Sequence, residues 1–279
     1  MSFRDRPVIF WAWKNRPSFT MRGMQVAEAL KARGIKTEIR IGYSWKALKD
    51  VKDSIIVCVK STPRLIGWLS KANNKIIYDA IDFTSLRDVP NHASAVITGT
   101  EYMRNLLAKE LPKHIQVKTI YHHCDPHLKP HVAGEDSLKL MYNGAKESSK
   151  FLKGEIPQLT VVSFMGKQDW REQSRQFNAH FSARLDMTKS VIKLANVASM
   201  NAIYLTGREP GCVELLGQDY PFYLREPLKL EKVLEDVNKL QTSVGTPTWK
   251  DAKERIRNSL PLLTIEATAK SYENLFEQL

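Results

Sequence analysis

Short apolar segments rich in β-branched residues alternate with longer amphipathic ones. Midway, the alternation stops at a Pro- and Gly-bearing stretch and then starts again. Strand–helix alternation of this kind is the pattern of a parallel sheet wound with helices on its faces. In the first half, residues 7–13, 36–41, 54–59, 75–81, 93–98 and 115–121 read as strands, and 20–33, 63–72 and 102–111 as helices. Met21, Met24, Ala27, Ala29 and Leu30 lay an apolar stripe along the first helix, and Gly34 stands where it should end. Residues 122–136, with Pro126, Pro130 and Gly134, read as a linker. Beyond it, 138–142, 158–164, 177–182 and 202–205 read as strands, and 190–199, 228–241, 249–258 and 262–279 as helices. The expectation is an α/β chain of two Rossmann-like domains facing a cleft: 1–135, 136–262, and a C-terminal helix over 263–279 that returns to the first domain.

At 279 residues the chain is long enough for two domains. No apolar run approaches the ~18 residues of a membrane span, and the N-terminal residues lack the apolar stretch of a signal peptide. Cys58, Cys124 and Cys212 lie far apart and form no CxxC, so a reducing cytoplasm is expected. Charge is uneven. Residues 1–135 carry 22 basic and 12 acidic side chains, net +10, whereas 136–279 carry 20 and 18, net +2. That asymmetry points to an anionic partner for the first half, or to a solvated basic surface.

Ligands of open parallel sheets bind beyond the carboxyl ends of the strands, so the loops there are the places to look for chemistry. The first, residues 14–23, holds Arg16, Arg22 and Gly23 ahead of a helix N-terminus, a setting that favours phosphate. It matches neither GxxxxGK(S/T) nor GxGxxG, which argues against a P-loop and against a dinucleotide-binding oxidoreductase. Asp79 and Asp82 stand at a strand end, where a carboxylate either serves as general base toward a hydroxyl or caps the next loop; His92 is open to the same two readings. Thr98 with Glu101 fits a capping box. His122, His123, Cys124, Asp125, His127 and His131 are crowded into one Pro-interrupted segment with no second ligand pair, so no metal is expected there. In the second half Gly144, Lys150, Arg184, Lys189 and Lys193 fall on successive strand-end loops. Lys189 and Lys193, four apart, are expected on one helix face, and the cations together on a diphosphate.

These loops resemble those of the GT-B glycosyltransferases, the branch with the retaining-type sequence pattern. Residues 24–34 resemble the family's first helix, which follows a Gly-containing loop facing the donor phosphates. Thr98-Gly99-Thr100-Glu101-Tyr102 resembles its "S-E-Y" segment, and Tyr121-His122-His123-Cys124-Asp125 stands where it has "p-n-G-v-D". Gly144 with Lys150 resembles "G-R-L-x-x-x-K", with Ala145 in place of the arginine. Ala202-Ile203-Tyr204-Leu205 and Glu214-Leu215-Leu216-Gly217 resemble "P-V-I" and "E-l-l". The family's E-x7-E is absent: Thr188 and Asn196 occupy the two glutamate positions, on a Lys-rich stretch.

The resemblance implies transfer of a sugar from a nucleotide-sugar donor, UDP- or GDP-linked, to an acceptor hydroxyl, with no further cofactor. The second half would hold the donor through Gly144, Lys150, Arg184, Lys189, Lys193, Asn196 and Glu214, with Gly23 facing its phosphates. The first half would hold the acceptor through Arg16, Arg22 and His92, with Asp82 as base. Its +10 charge suits an anionic acceptor, either an acidic glycan or DNA bearing a hydroxyl-modified base that is flipped out for transfer. Two other classes share the scaffold: a nucleic-acid-binding protein without transfer activity, and a nucleotide-sugar epimerase, which would leave the basic half unexplained.

Overall fold

The structure is a computed structural model that describes residues 3–42, 49–60, 67–81, 91–144, 149–152, 154–162 and 169–279. The chain divides into two compact units. The first comprises residues 1–123, 188–190 and 262–279; the second comprises 124–187 and 191–261.

The first unit is built on a six-stranded sheet, every strand parallel: β1 (Val8–Ala12), β2 (Thr37–Ile41), β3 (Ile55–Val59), β4 (Lys75–Asp79), β5 (Ala95–Thr98) and β6 (Gln116–Thr119), in the order β2-β1-β3-β4-β5-β6. Strands β1, β3 and β5 are buried along their whole length, as expected of continuous apolar runs covered on both faces. One face packs Phe10, Val57, Ile77 and Ile97 against Val26, Ala27 and Leu30 of the first helix and Tyr272, Leu275 and Phe276 near the C-terminus. The other packs Ile9, Trp11, Ile56 and Val96 against Met103 and Leu107.

The first helix starts earlier than the apolar stripe suggests. It begins as α1 (Pro17–Phe19), with proline in the first turn where its missing N–H costs nothing, widens to a π turn over Thr20–Gln25, and continues as α2 (Val26–Ala32). Helix α3 (Glu101–Glu110) is capped by Thr100, whose hydroxyl accepts from the Met103 N–H at 3.2 Å; Thr98 instead donates to the Thr100 carbonyl. The cap therefore lies two residues later than the capping box placed it.

The second unit has a four-stranded parallel sheet: β7 (Leu140–Asn143), β8 (Leu159–Val162), β9 (Ala179–Ser182) and β10 (Ile203–Thr206), in the order β10-β9-β7-β8. Helices α4 (Trp170–Ser174), α5 (Ile192–Ser199), α6 (Pro210–Leu216), α7 (Leu230–Thr242) and α8 (Pro247–Ser259) accompany it. Apart from His122 and His123, the stretch read as a linker is part of this unit. His131 donates its N–H to Met200, Val132 to Arg175, and the Asn178 amide to the Gly134 carbonyl. Helix α9 (Ile265–Phe276), capped by Thr264, belongs to the first unit.

Both sheets share one topological feature. The strand order reverses between β1 and β3 in the first and between β7 and β9 in the second. In open parallel sheets such reversals open a crevice at the carboxyl ends of the diverging strands, where ligands settle.

Candidate functional site

At the reversal in the second unit, β7 delivers Gly144 and β9 delivers Ser182 and Arg184. Lys193, in the first turn of α5, reaches the same place. Its Nζ lies 4.1 Å from the centre of the Tyr142 ring and 3.5 Å from the Ser182 hydroxyl. Gly144 has φ +148°, and a Cβ there would stand 2.8 Å from the Tyr142 hydroxyl and 3.4 Å from Lys193 Nζ, so glycine keeps this side of the lysine clear. Among the described residues no carboxylate lies within ion-pair distance of Lys193. Burial, and then repulsion from Arg184, pull its pKa down to about 7, against a weaker opposing pull from Glu209.

Arg184 is engaged differently. Its Nε and Nη2 donate to the two oxygens of Glu209 at 2.5 and 2.9 Å, a bidentate pair that is mostly buried. Burial opposes the charge, but Glu209 outweighs it and holds the guanidinium protonated. Glu209 precedes Pro210, the first residue of α6, and so brings the end of β10 to the end of β9. Gly207 allows this approach: a Cβ on it would fall 2.1 Å from the Arg184 carbonyl. Gly207→Ala should therefore destabilise the unit by at least about 1–3 kcal/mol, the usual cost of overpacking. Urea denaturation of the variant against the parent measures this.

The remaining second-half residues divide. Lys150 is exposed, but its loop is pinned to the same strand end. The Lys150 N–H donates to the Ala183 carbonyl at 3.1 Å, and the Ala183 N–H donates to the Ser149 hydroxyl at 2.9 Å. Asn196, one turn along α5 from Lys193, accepts from the Asp125 N–H at 3.0 Å, and Asp125 in turn binds Arg171. Lys189 does not share a helix face with Lys193. Helix α5 starts at Ile192 behind a non-helical Val191 without a side-chain cap, and 188–190 belong to the first unit. Glu214 is exposed on α6; Glu209 is the acidic residue at the strand end. A small cavity of about 30 Å³ adjoins Lys193 and Asn196 and is also lined by Asn143, Trp170, His180 and Tyr204. Burial, and then Lys193, keep His180 neutral, with a pKa near 3.

In the first unit the structure corrects several expectations. Arg22 is 1% exposed. Its Nε and Nη2 donate to Asp79 at 2.8 and 3.1 Å, and its Nη1 donates to the carbonyls of Ile120 and Tyr121 at 2.9 and 3.1 Å. The Tyr272 hydroxyl adds a third bond to Asp79 at 3.0 Å. Arg22 is thus a buried tie rather than an acceptor contact, and Asp79 is its counter-ion rather than a base. Gly23 is buried inside the π turn, where a Cβ would meet the Phe19 ring at 2.4 Å; its smallness serves that ring, not a phosphate. His92 is exposed ahead of β5, at the amino edge of the sheet, opposite to where ligands bind. Asp82 lies outside the described residues. Arg16 is exposed immediately before α1, beyond the carboxyl end of β1. The His122 and His123 rings are held internally: His122 faces the His123 carbonyl at 3.1 Å, and His123 faces Gln25 at 2.9 Å.

No family model and no curated protein matches the sequence. Solved structures do match. A glycosyltransferase from Rickettsia africae superposes with TM-score 0.69 at 11% identity over 98% of both chains. HepE from Anabaena, solved with UDP, gives 0.68 at 10% identity over 98% of this chain and 100% of that one. Sucrose-phosphate synthase from Thermosynechococcus elongatus gives 0.69 at 12% identity over 98% of both chains. The likeness runs through both parallel sheets, and the chain has the two-unit GT-B fold of these glycosyltransferases.

Proposed function

We propose that this chain is a glycosyltransferase that takes a sugar from a nucleotide-sugar donor, UDP- or GDP-linked, and passes it to a hydroxyl of an anionic acceptor. The observation that carries this reading is Lys193. A half-buried lysine with no carboxylate at ion-pair distance among the described residues, beside a clear glycine at a sheet-reversal crevice, suits an arriving diphosphate. HepE's structure with UDP supports the choice of ligand.

In this reading the donor's diphosphate draws the proton onto Lys193. The resulting charge stabilises the diphosphate as it leaves with the bonding electrons of the sugar–oxygen bond. Arg184, neutralised by Glu209, fixes the β9 end against β10, and Lys150 supplies exposed charge from the loop pinned to Ala183. The first unit receives the acceptor. Its basic character, net +10 over residues 1–135, suits an acidic glycan or a modified nucleic acid, and Asp82 is assigned as base. Among the described residues no helix is long and apolar enough to cross a membrane, and the three cysteines are buried without a disulfide, which supports a reducing compartment.

Thermal denaturation with UDP, GDP, ADP and dTDP tests the proposal. At a hundredfold excess over Kd, one of them should raise Tm by about 5 °C. The matching nucleotide-sugar should be slowly hydrolysed. No shift with any of the four would overturn the reading.

A further inference from the structure

The small cavity beside Lys193 has a polar back wall. Side chains of β9 alternate between the two faces of the sheet, so His180 shares a face with Ser182, whose hydroxyl lies 3.5 Å from Lys193 Nζ. On α5, Lys193, Val197 and Met200 recur at helical spacing and line the same space from the other side. The room left between strand and helix is about 30 Å³, and Asn143, Asn196 and Tyr204 add polar groups to its lining. That is more than the roughly 10–15 Å³ a single water needs, and too little for a sugar ring or a base. His180 is 8% exposed, and its Nε2 is buried without a hydrogen-bond partner in the protein. A nitrogen at that depth is costly unless something meets it. The ring is neutral, because burial and then Lys193 hold its pKa near 3. With its one proton on Nδ1, a neutral imidazole accepts at Nε2.

We infer that this cavity seats a water that accepts from Lys193 Nζ and donates to His180 Nε2, which makes His180 a positioning residue for the lysine that meets the donor diphosphate. The inference rests on the reading of the chain as a glycosyltransferase and adds to it how the lysine is held and charged. A lysine ammonium has three N–H donors. The Ser182 hydroxyl and the diphosphate take two, and the water takes the third and passes the bond on to the buried ring. Bonds made to the charged form favour that form. They oppose burial and the repulsion from Arg184, which both pull Lys193 toward neutrality. The other charged and titratable groups around the pair are accounted for. Arg184 is tied to Glu209. His131, from the stretch before β7, and Tyr204, in register with His180 on β10, are both held toward their neutral forms by burial.

NMR titration of the full chain tests this without any ligand, with the Lys193 Cε–H resonance assigned as the one lost in Lys193→Arg. His180→Phe keeps a flat ring and removes both nitrogens, and it should lower the Lys193 pKa by about one unit or more. His180→Gln places an amide where Nε2 stands and should return the pKa to within about half a unit of the parent. Binding should report the same shift. Relative to the parent, His180→Phe should bind the nucleoside diphosphate about tenfold more weakly at pH 8 and nearly equally at pH 5, where the lysine is charged in both. A merely structural role would weaken binding alike at the two pH values. In the unaltered chain, nitrogen-15 NMR should find the His180 proton on Nδ1 and Nε2 bare at neutral pH, a result that does not depend on whether His180→Phe folds. A proton on Nε2, or a Lys193 pKa that is unmoved or raised in His180→Phe, overturns this inference alone. An equal fall in His180→Phe and His180→Gln overturns it in favour of plain packing. No nucleotide-induced rise in Tm for the unaltered chain overturns the glycosyltransferase reading itself.

Discussion

Arg22→Met is expected to destabilise the first unit by about 3–5 kcal/mol, the cost of leaving a buried carboxylate without its counter-ion. The size follows from how completely the pair is enclosed. Arg22 and Asp79 are each 1% exposed, so water cannot replace the lost partner. Arg22 also satisfies the carbonyls of Ile120 and Tyr121 at the end of β6, and these would lose their donor in the same step. The tie joins parts of the chain far apart in sequence: the π turn, β4, the exit of β6 and, through Tyr272, helix α9. Loosening it should therefore free α9 as well. Urea denaturation followed by far-ultraviolet circular dichroism measures the loss. The double variant Arg22→Met, Asp79→Leu should recover much of it, because removing both charges removes the desolvation penalty as well. A single-variant loss below about 1 kcal/mol would show that the pair is not enclosed in solution as it is here.

Lys193 yields the second large effect, in pH rather than in stability. Its pKa in the unliganded chain is about 7 and its ordinary value 10.5. A bound diphosphate favours the charged form and raises the pKa again. Between the free and bound values the complex holds one more proton than the separate partners, so binding takes up a proton and weakens as pH rises. Above pH 8 the diphosphate is fully ionised and adds no titration of its own, and the N–H of a uracil or guanine base begins to ionise only nearer pH 9. The affinity of the nucleoside diphosphate should therefore fall about tenfold per pH unit from pH 8 to pH 9. Lys193→Met should bind at least tenfold more weakly at pH 7 and lose the pH dependence. Lys193→Arg should lose the dependence while keeping the charge. Calorimetry in buffers of differing ionisation enthalpy counts the proton directly. A flat profile for the unaltered chain would separate Lys193 from the diphosphate.

Sequence pattern carried the sheets. The buried strands β1, β3, β5 and β10 are continuous apolar or β-branched runs, and burial on both faces leaves such runs few alternatives to a parallel sheet. Two short helices, α4 and α6, escaped it, because five and seven residues show too little periodicity to stand out from loop. The start of the first helix was in reach: Pro17 in a first turn is a recognised signal, but the apolar stripe begins only at Met21. The misplacement of His92 was equally avoidable, since a residue that leads into a parallel strand stands at the edge away from ligands.

The sites show the same division. Gly144, Arg184 and Lys193 were legible because each closely follows a strand or opens a helix, and local order alone brings strand-end residues to one edge of a sheet. What each of them does there was not legible. Arg184 meets a carboxylate 25 residues away, and Arg22 meets Asp79 across 57 residues and two carbonyls about 98 residues away. From sequence, a cation bound for a buried ion pair and one bound for a ligand are the same letter. The difference is made by desolvation and by which carboxylate the fold carries alongside. Both are properties of chain segments brought together over long distances, so tertiary structure alone settles them, and here it made Arg22 a buried tie and left Lys193 without a carboxylate at ion-pair distance among the described residues.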